Sequence, residues 1–191
     1  MRTSDCATLR FRKDFFNADY KRTIGADFAV KRLEIPDIDA KVTLQCWDLA
    51  GQPRFEFVRQ GFYRGARGGL LLYDVTRRRT FLNIDNWKDE TFKNVGHEIP
   101  LVVVANKVDL AESRAVMTKE GEDYAKENNF LYVESSALTG ENVEDAYLQL
   151  CRQMIEDAKS SPKEPMFSKI FGSSHSPHRS RHTSNISPMV A

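Results

Sequence analysis

The stretch Leu101-Val102-Val103-Val104-Ala105-Asn106-Lys107-Val108-Asp109 decides how this chain is read. Five apolar residues run without alternation and stop at a polar turn. So short and continuous a run fits a strand buried on both faces. Upstream, Gly69–Val75 has the same character, and downstream Phe130–Val133 is a shorter candidate strand. Helical periods lie between them. Phe81–Val95 places Phe81, Ile84, Trp87, Phe92 and Val95 near helical spacing. Asn142–Ala158 carries an apolar stripe of Val143, Ala146, Tyr147, Leu150, Met154 and Ile155 behind an Asn cap. Thr118–Asn129 starts like a capping box, although Gly121 stands where the box calls for Glu. Nearer the start, Asp27–Ile35 and Lys41–Asp48 are β-rich and separated by Pro36-Asp37-Ile38-Asp39, which predicts a hairpin. Strands alternating with helices give an α/β fold: a mostly parallel sheet with one antiparallel hairpin.

The chain has 191 residues, enough for one domain of ordinary size and a tail. Hydrophobic residues make up 41% and charged residues 29%, which excludes collagen, a coiled-coil rod and a wholly disordered chain. A net charge of +1 argues against nucleic acid as the main partner. No apolar run approaches the roughly 18 residues of a membrane span, and the first residues lack the apolar core of a secretory signal. Cys6, Cys46 and Cys151 have no metal-ligand or disulfide-framework spacing, so a reducing, cytoplasmic setting is expected. Two parts are expected: a globular domain over 1–158 and a disordered basic tail over 159–191. The tail holds nine Ser, four Pro and three His, and its few apolar residues do not repeat with any period. Its apolar pairs Met166-Phe167 and Ile170-Phe171 leave two readings open, a solvated tail or a short docking motif.

In such sheets ligands bind beyond the carboxyl ends of the strands. Three segments fall there. In Trp47-Asp48-Leu49-Ala50-Gly51-Gln52, an Asp at a strand end can hold Mg²⁺ directly or through water. Gly51 lets a backbone N–H approach a terminal phosphate oxygen, and Gln52 can position a water for in-line attack. A plain strand exit with a turn glycine would read the same way. In Asn106-Lys107-Val108-Asp109, a carboxylate can accept hydrogen bonds from both N1–H and the exocyclic amine of guanine. Adenine offers neither donor there, so it leaves the carboxylate unpaired. The third segment is Glu134-Ser135-Ser136-Ala137-Leu138, where a small residue lets a backbone N–H reach guanine O6. The second and third patterns are common by chance when taken singly.

In this order, the segments resemble those of the Ras-like small GTPases, most closely the Rab branch. Tyr20-Lys21-Arg22-Thr23-Ile24-Gly25-Ala26-Asp27-Phe28 is similar to the Rab switch I segment. Phe62-Tyr63-Arg64-Gly65-Ala66 and Leu71-Leu72-Tyr73-Asp74-Val75-Thr76 are similar to the stretch after switch II, and Thr139-Gly140-Glu141-Asn142-Val143 to the entry of the last helix. The resemblance covers about residues 9–158.

The resemblance implies a P-loop-NTPase-like small GTPase domain that binds GTP or GDP with Mg²⁺. It would act as a GTP-hydrolysing switch in vesicle trafficking and signal transduction. Thr23 and Asp48 would serve Mg²⁺, Gly51 the γ-phosphate and Gln52 the attacking water. Asn106, Lys107 and Asp109 would read guanine, with Ser136, Ala137 and Leu138 closing the pocket and Phe28 packing on the base. Trp47, Phe62 and Tyr63 would present an aromatic effector surface, or simply fill core. Partners would be effector, exchange-factor and GTPase-activating proteins.

The family pattern also contains a first strand, GxxxxGK[ST] and a helix. That motif occurs nowhere in the 191 residues, so the first strand and first helix are expected to be largely absent. Two open strand edges in the core would follow. Losing three charge-assisted phosphate bonds at ~1.5–3 kcal/mol each costs about 4–9 kcal/mol, or roughly three to six decades of affinity. Hydrolysis is therefore expected to be impaired, and a non-catalytic interaction module of the pseudo-GTPase kind is the alternative. Pro53 stiffens the approach to Gln52, and Leu138 stands where many relatives carry Lys. Ser187–Ala191 holds no Cys, so no prenyl anchor and at most peripheral membrane contact are expected.

Overall fold

The computed structural model describes residues 7–11, 26–52, 55–160, 183–185 and 189–190. Residues 7–11 form helix α1. The hairpin strands follow as β1 (Ala26–Ile35) and β2 (Ala40–Leu49), paired antiparallel from Ala26 opposite Leu49 to Ile35 opposite Ala40. A 3-10 turn, Pro36–Ile38, joins them. It closes at Asp39, which takes the left-handed conformation (φ 46°) and donates its N–H to the Pro36 carbonyl. Asp is one of the few non-glycine residues that accept this geometry.

Helix α2 (Glu56–Tyr63) leads into β3 (Gly68–Asp74), α3 (Arg78–Leu82), α4 (Ile84–Val95) and β4 (Leu101–Asn106). Then come α5 (Thr118–Glu127), β5 (Leu131–Ser135), the long α6 (Val143–Ser160), and the short strands β6 (Thr183–Asn185) and β7 (Met189–Val190). The sheet order is β1-β2-β7-β3-β4-β5, with β6 beside β2. Strands β3, β4 and β5 are parallel, and β7 runs parallel to both β2 and β3. The carboxyl ends of β2, β3, β4 and β5 therefore share one edge.

Alternation in β3 and β4 feeds two cores. Leu70, Val102 and Val104 pack with Tyr147, Leu150 and Met154 of α6. Leu71, Tyr73, Leu101, Val103 and Ala105 pack on the other face with Tyr63, Ile84 and Ala125. All six β4 residues are buried, which is why the run lacks alternation. Each fully buried Val or Leu contributes about 1.5–3 kcal/mol. Helix α6 lies close on β3: a Cβ on Gly68 would sit 2.8 Å from Met154 Sδ. The α1 and α6 rings of Phe11 and Tyr147 stack at 3.6 Å.

Three elements differ from the sequence expectation. The single helix over Phe81–Val95 is two, parted at Asn83. There Asn83 (φ −91°, ψ −1°) turns its N–H to the Phe81 carbonyl, ending α3 and opening α4, and its Oδ1 accepts from Asn86 Nδ2 at 2.9 Å. Helix α5 starts at Thr118 with Met117, not Thr118, as its capping position. Glu120 thus stands third and accepts the Met117 N–H at 3.1 Å. Gly121 is required for another reason: a Cβ there would lie 2.5 Å from the Tyr132 ring and the Tyr73 hydroxyl. Lastly, the sheet position between β2 and β3 does not stand open along its whole length. Met189 and Val190 pair with Cys46 and Trp47 on one side and Gly68 and Gly69 on the other. From the stretch read as a tail, α6 takes residues 159 and 160, and β6 and β7 are strands; 161–182, 186–188 and 191 lie outside the described residues, the apolar pairs at 166–171 among them.

Candidate functional site

At the shared edge, Asn106 ends β4 and is fully buried. Its Oδ1 accepts the N–H of Lys107 at 2.7 Å and of Ala137 at 3.0 Å. Its carbonyl accepts the Val75 N–H at 3.0 Å. One side chain so ties the loop after β4 to the loop after β5. Lys107 then turns the chain in the left-handed conformation (φ 72°) into the 3-10 turn Val108–Ser113. Within that turn Asp109 is exposed, and its Oδ1 accepts the Ser136 hydroxyl at 2.5 Å. Ser136 Oγ in turn accepts the Thr139 N–H at 3.2 Å. Ala137 is buried and Leu138 is 51% exposed beside them. Asn106, Lys107, Asp109, Ser136, Ala137 and Leu138 are thus brought together.

Two details differ from the expected roles. In the segment from which a backbone N–H is expected to reach guanine O6, the Ala137 N–H donates to Asn106 Oδ1. The Lys107 ammonium lies 2.5 Å from Asp74 Oδ2 at the end of β3. Asp74 is fully buried and also meets Thr76 N–H (2.9 Å), Thr76 Oγ1 (2.6 Å) and Arg77 Nε (2.9 Å). Burial alone would push its carboxyl up, but Lys107 and Thr76 outweigh that and hold it below the usual carboxylate range. Nearby, Glu134 is raised by burial yet ends lowered by Arg114, Thr118 and Tyr132.

Asp48, one residue before the end of β2, is buried at the same edge. Gly51 and Gln52 follow it, both half-buried. The turn they form is gripped from α2. Arg59 Nη1 donates to the carbonyls of Ala50 (3.0 Å) and Gln52 (3.1 Å), and its Nε and Nη2 donate to Glu90 of α4 at 2.7 and 2.8 Å.

Phe28 is not with the base-side residues. It pairs opposite Trp47 on the edge strand β1, with β2, β7 and β3 between it and β4. Its ring, on a residue 42% exposed, lies 4.6 Å from Trp47, which lies 4.6 Å from Phe62. Phe28 thus packs in an edge aromatic row, because the hairpin register fixes it opposite Trp47. Of the three aromatics assigned to an effector surface, Tyr63 belongs to the core: it is fully buried with its hydroxyl on Glu90 at 3.2 Å. Thr23, the rest of switch I from Tyr20 to Gly25, and Pro53 lie outside the described residues.

Sequence reasoning missed Asp74 as a site residue, although a carboxylate ending a buried apolar run was a usable signal. Arg59 and Glu90 carried none, since their pairing joins two helices 31 positions apart. No cluster of three or more His, Cys, Asp or Glu side chains placed to hold a metal occurs among the described residues. Asp48, buried at a strand end, does fit Mg²⁺, which takes few protein oxygens and keeps water and phosphate as its other ligands. No helix among the described residues is long and apolar enough to cross a membrane.

Comparison with known proteins gives one consistent result. The model of the Ras family matches residues 4–156. Ras-related protein RABA1b of Arabidopsis thaliana is 43% identical over 146 residues, 76% of this chain and 66% of that protein. Ras-related protein Rab-4A of Danio rerio is 38% identical over 160 residues, 84% of this chain and 74% of that protein. Ras-related protein Rab-26 of Homo sapiens is 39% identical over 163 residues, 85% of this chain and 63% of that protein. The chain thus spans a little under two thirds of the plant and human relatives' length.

Proposed function

The chain belongs to the Ras family and is Rab-like within it, and on that premise we propose that it is a guanine-nucleotide switch. It takes GTP or GDP at the carboxyl edge of the sheet. Asp109 accepts from N1–H and the exocyclic amine of guanine, and Ser136 holds that carboxylate in place. The Lys107 stem lies beside the base, and Ala137 and Leu138 wall the pocket. Gly51 offers its N–H to the γ-phosphate, and the Gln52 amide orients the attacking water. Asp48, with Thr23, is the Mg²⁺ side of the site; the ion, when bound, neutralises phosphate charge. In this reading the protein works at membranes peripherally, in vesicle trafficking, through effector, exchange-factor and GTPase-activating partners.

The observation that carries the reading is the pair of bonds that fasten the two base-side loops, Asn106 to Ala137 and Asp109 to Ser136. They leave Asp109 preorganised at the surface, so little ordering cost remains on binding. The test is calorimetry of the whole 191-residue chain with Mg²⁺. GTP and GDP are expected to bind at least 100-fold more tightly than ATP and ADP. Equal affinities would overturn the proposal.

A second reading, a non-catalytic interaction module, is supported by two observations. The sequence contains no GxxxxGK[ST] segment, and the edge row Phe28–Trp47–Phe62 is aromatic and partly exposed. A single cooperative melting transition without any nucleotide binding in that titration would favour it.

A further inference from the structure

Helix α2 turns Phe57 and Val58 outward and buries a cation, Arg59, beside Tyr63. Phe57 and Val58 are 83% and 48% exposed, whereas Arg59 is only 5% exposed. A buried Arg is tolerated only where its donors are matched. Here they are matched on two sides. One edge of the guanidinium forks onto Glu90, and Nη1 spans the Ala50 and Gln52 carbonyls. The Trp87 ring lies 5.0 Å beneath it, and the Tyr63 hydroxyl adds a further bond to Glu90. The Phe55 N–H bond to the Gln52 carbonyl is local to the turn. Arg59 instead joins the turn to α4, whose Ile84 and Thr91 are buried in the body of the domain.

We propose that Arg59 is a positioning residue: a latch that pins the Gln52 turn onto α4 whether or not a nucleotide is bound. The carbonyls of Ala50 and Gln52 are then held before any terminal phosphate arrives. A lysine cannot do the same, because a single ammonium cannot fork onto a carboxylate and span two carbonyls in one plane. The effect on nucleotide response rests on the guanine-nucleotide reading above; the pinning itself does not.

The test is hydrogen exchange on the full chain as wild type, Arg59→Leu, Arg59→Lys and Glu90→Gln. Without nucleotide, amides between 51 and 63 are expected to exchange at least tenfold faster in Arg59→Leu and Glu90→Gln, with Arg59→Lys intermediate. Amides of β3 and β4 should keep their protection. With saturating GTP or GDP and Mg²⁺, wild-type protection in 51–63 should differ less than twofold between the nucleotides. In Arg59→Leu the difference should reach about tenfold, a change that a purely structural bond would not produce. Unchanged exchange in 51–63 on losing either Arg59 or Glu90 overturns the latch, as does a tenfold GTP–GDP difference in wild type. Should neither nucleotide bind, the functional reading fails, and the nucleotide-free comparison still decides the latch. If Arg59→Leu does not fold, Arg59→Lys and Glu90→Gln make the same comparison.

Discussion

Asn106 and Gln52 stand at the same edge of the sheet, and they are held in opposite ways. Asn106 is the last residue of a buried strand, and its side chain binds two backbone N–H groups of adjoining loops. Gln52 sits in a turn beyond the end of β2, held by its backbone carbonyl through an arginine that reaches from α2 and is itself braced on α4. The corner proposed to read the base is thus built into the sheet. The corner proposed to position water is tied to the rest of the domain through one long side chain, beside a bond local to its own turn. The difference teaches that two corners of one sheet edge can have separate stabilities: the first follows the core, and the second follows a contact that can open alone.

The largest effect that would test this contrast is on nucleotide choice. Asp109→Ala removes two charge-assisted bonds worth ~1.5–3 kcal/mol each, so guanine selectivity should fall by about two to four decades. Competition calorimetry with GTP and ATP reads it, and a selectivity equal to wild type would remove Asp109 from the base-reading corner.

Next comes stability. Asn106→Ala leaves two inward N–H groups without an acceptor and should cost about 2–4 kcal/mol in urea unfolding. Gln52→Ala keeps the carbonyl that Arg59 grips and should cost under about 0.5 kcal/mol. Similar losses from the two variants would erase the distinction between the corners.

A smaller effect concerns pH. Asp74 and Glu134 are held below the ordinary carboxylate range in the folded protein, Asp74 by Lys107 and Thr76 against burial, and Glu134 by Arg114, Thr118 and Tyr132 against burial. Groups lowered by folding stabilise it above their unfolded values, near ~4, and that stability is lost as pH falls through the depressed folded values. Thermal melts should therefore be flat from about pH 7 to 5 and fall steeply below about pH 4. Asp74→Asn should melt lower at neutral pH and show a shallower acid slope. An unchanged slope would mean that Lys107 is not what holds Asp74 charged.

The smallest expected effect is an absence of reaction. Burial pushes the thiols of Cys46 in β2 and Cys151 in α6 up to about 12. If the Gln52 corner is loose only in its loop, Cys46 should resist alkylation at pH 8 as well as Cys151 does, until denaturant exposes both. Peptide mass spectrometry checks it, and rapid labelling of Cys46 alone would place the looseness in the strand itself.

Much of this was legible in one dimension. The hairpin, β3 and β4 were readable to within about a residue because burial on one or two faces imposes a period on the chain. The placement of the 106–109 and 135–138 segments at one sheet edge was readable because each follows its own strand directly. The split at Asn83 was hidden, since the apolar period runs straight through it. Phe28 was hard to place because its aromatic character fits a base or a neighbouring ring equally well, and only the tertiary register sets it opposite Trp47. Tyr63 could face a partner or the core until Glu90 was found at its hydroxyl.

Fold class, strand order along the chain and the place of the 106–109 segment at a strand end were legible in local pattern, because hydrophobic period and short motifs act over a few residues. Tertiary structure alone decided that Met189–Val190 enters the sheet beside Cys46, that Lys107 faces Asp74, and that Arg59 joins Gln52 to Glu90. Those pairings join residues far apart in the chain. Nothing local specifies them; they exist because buried donors and strand edges must find partners once the core has closed.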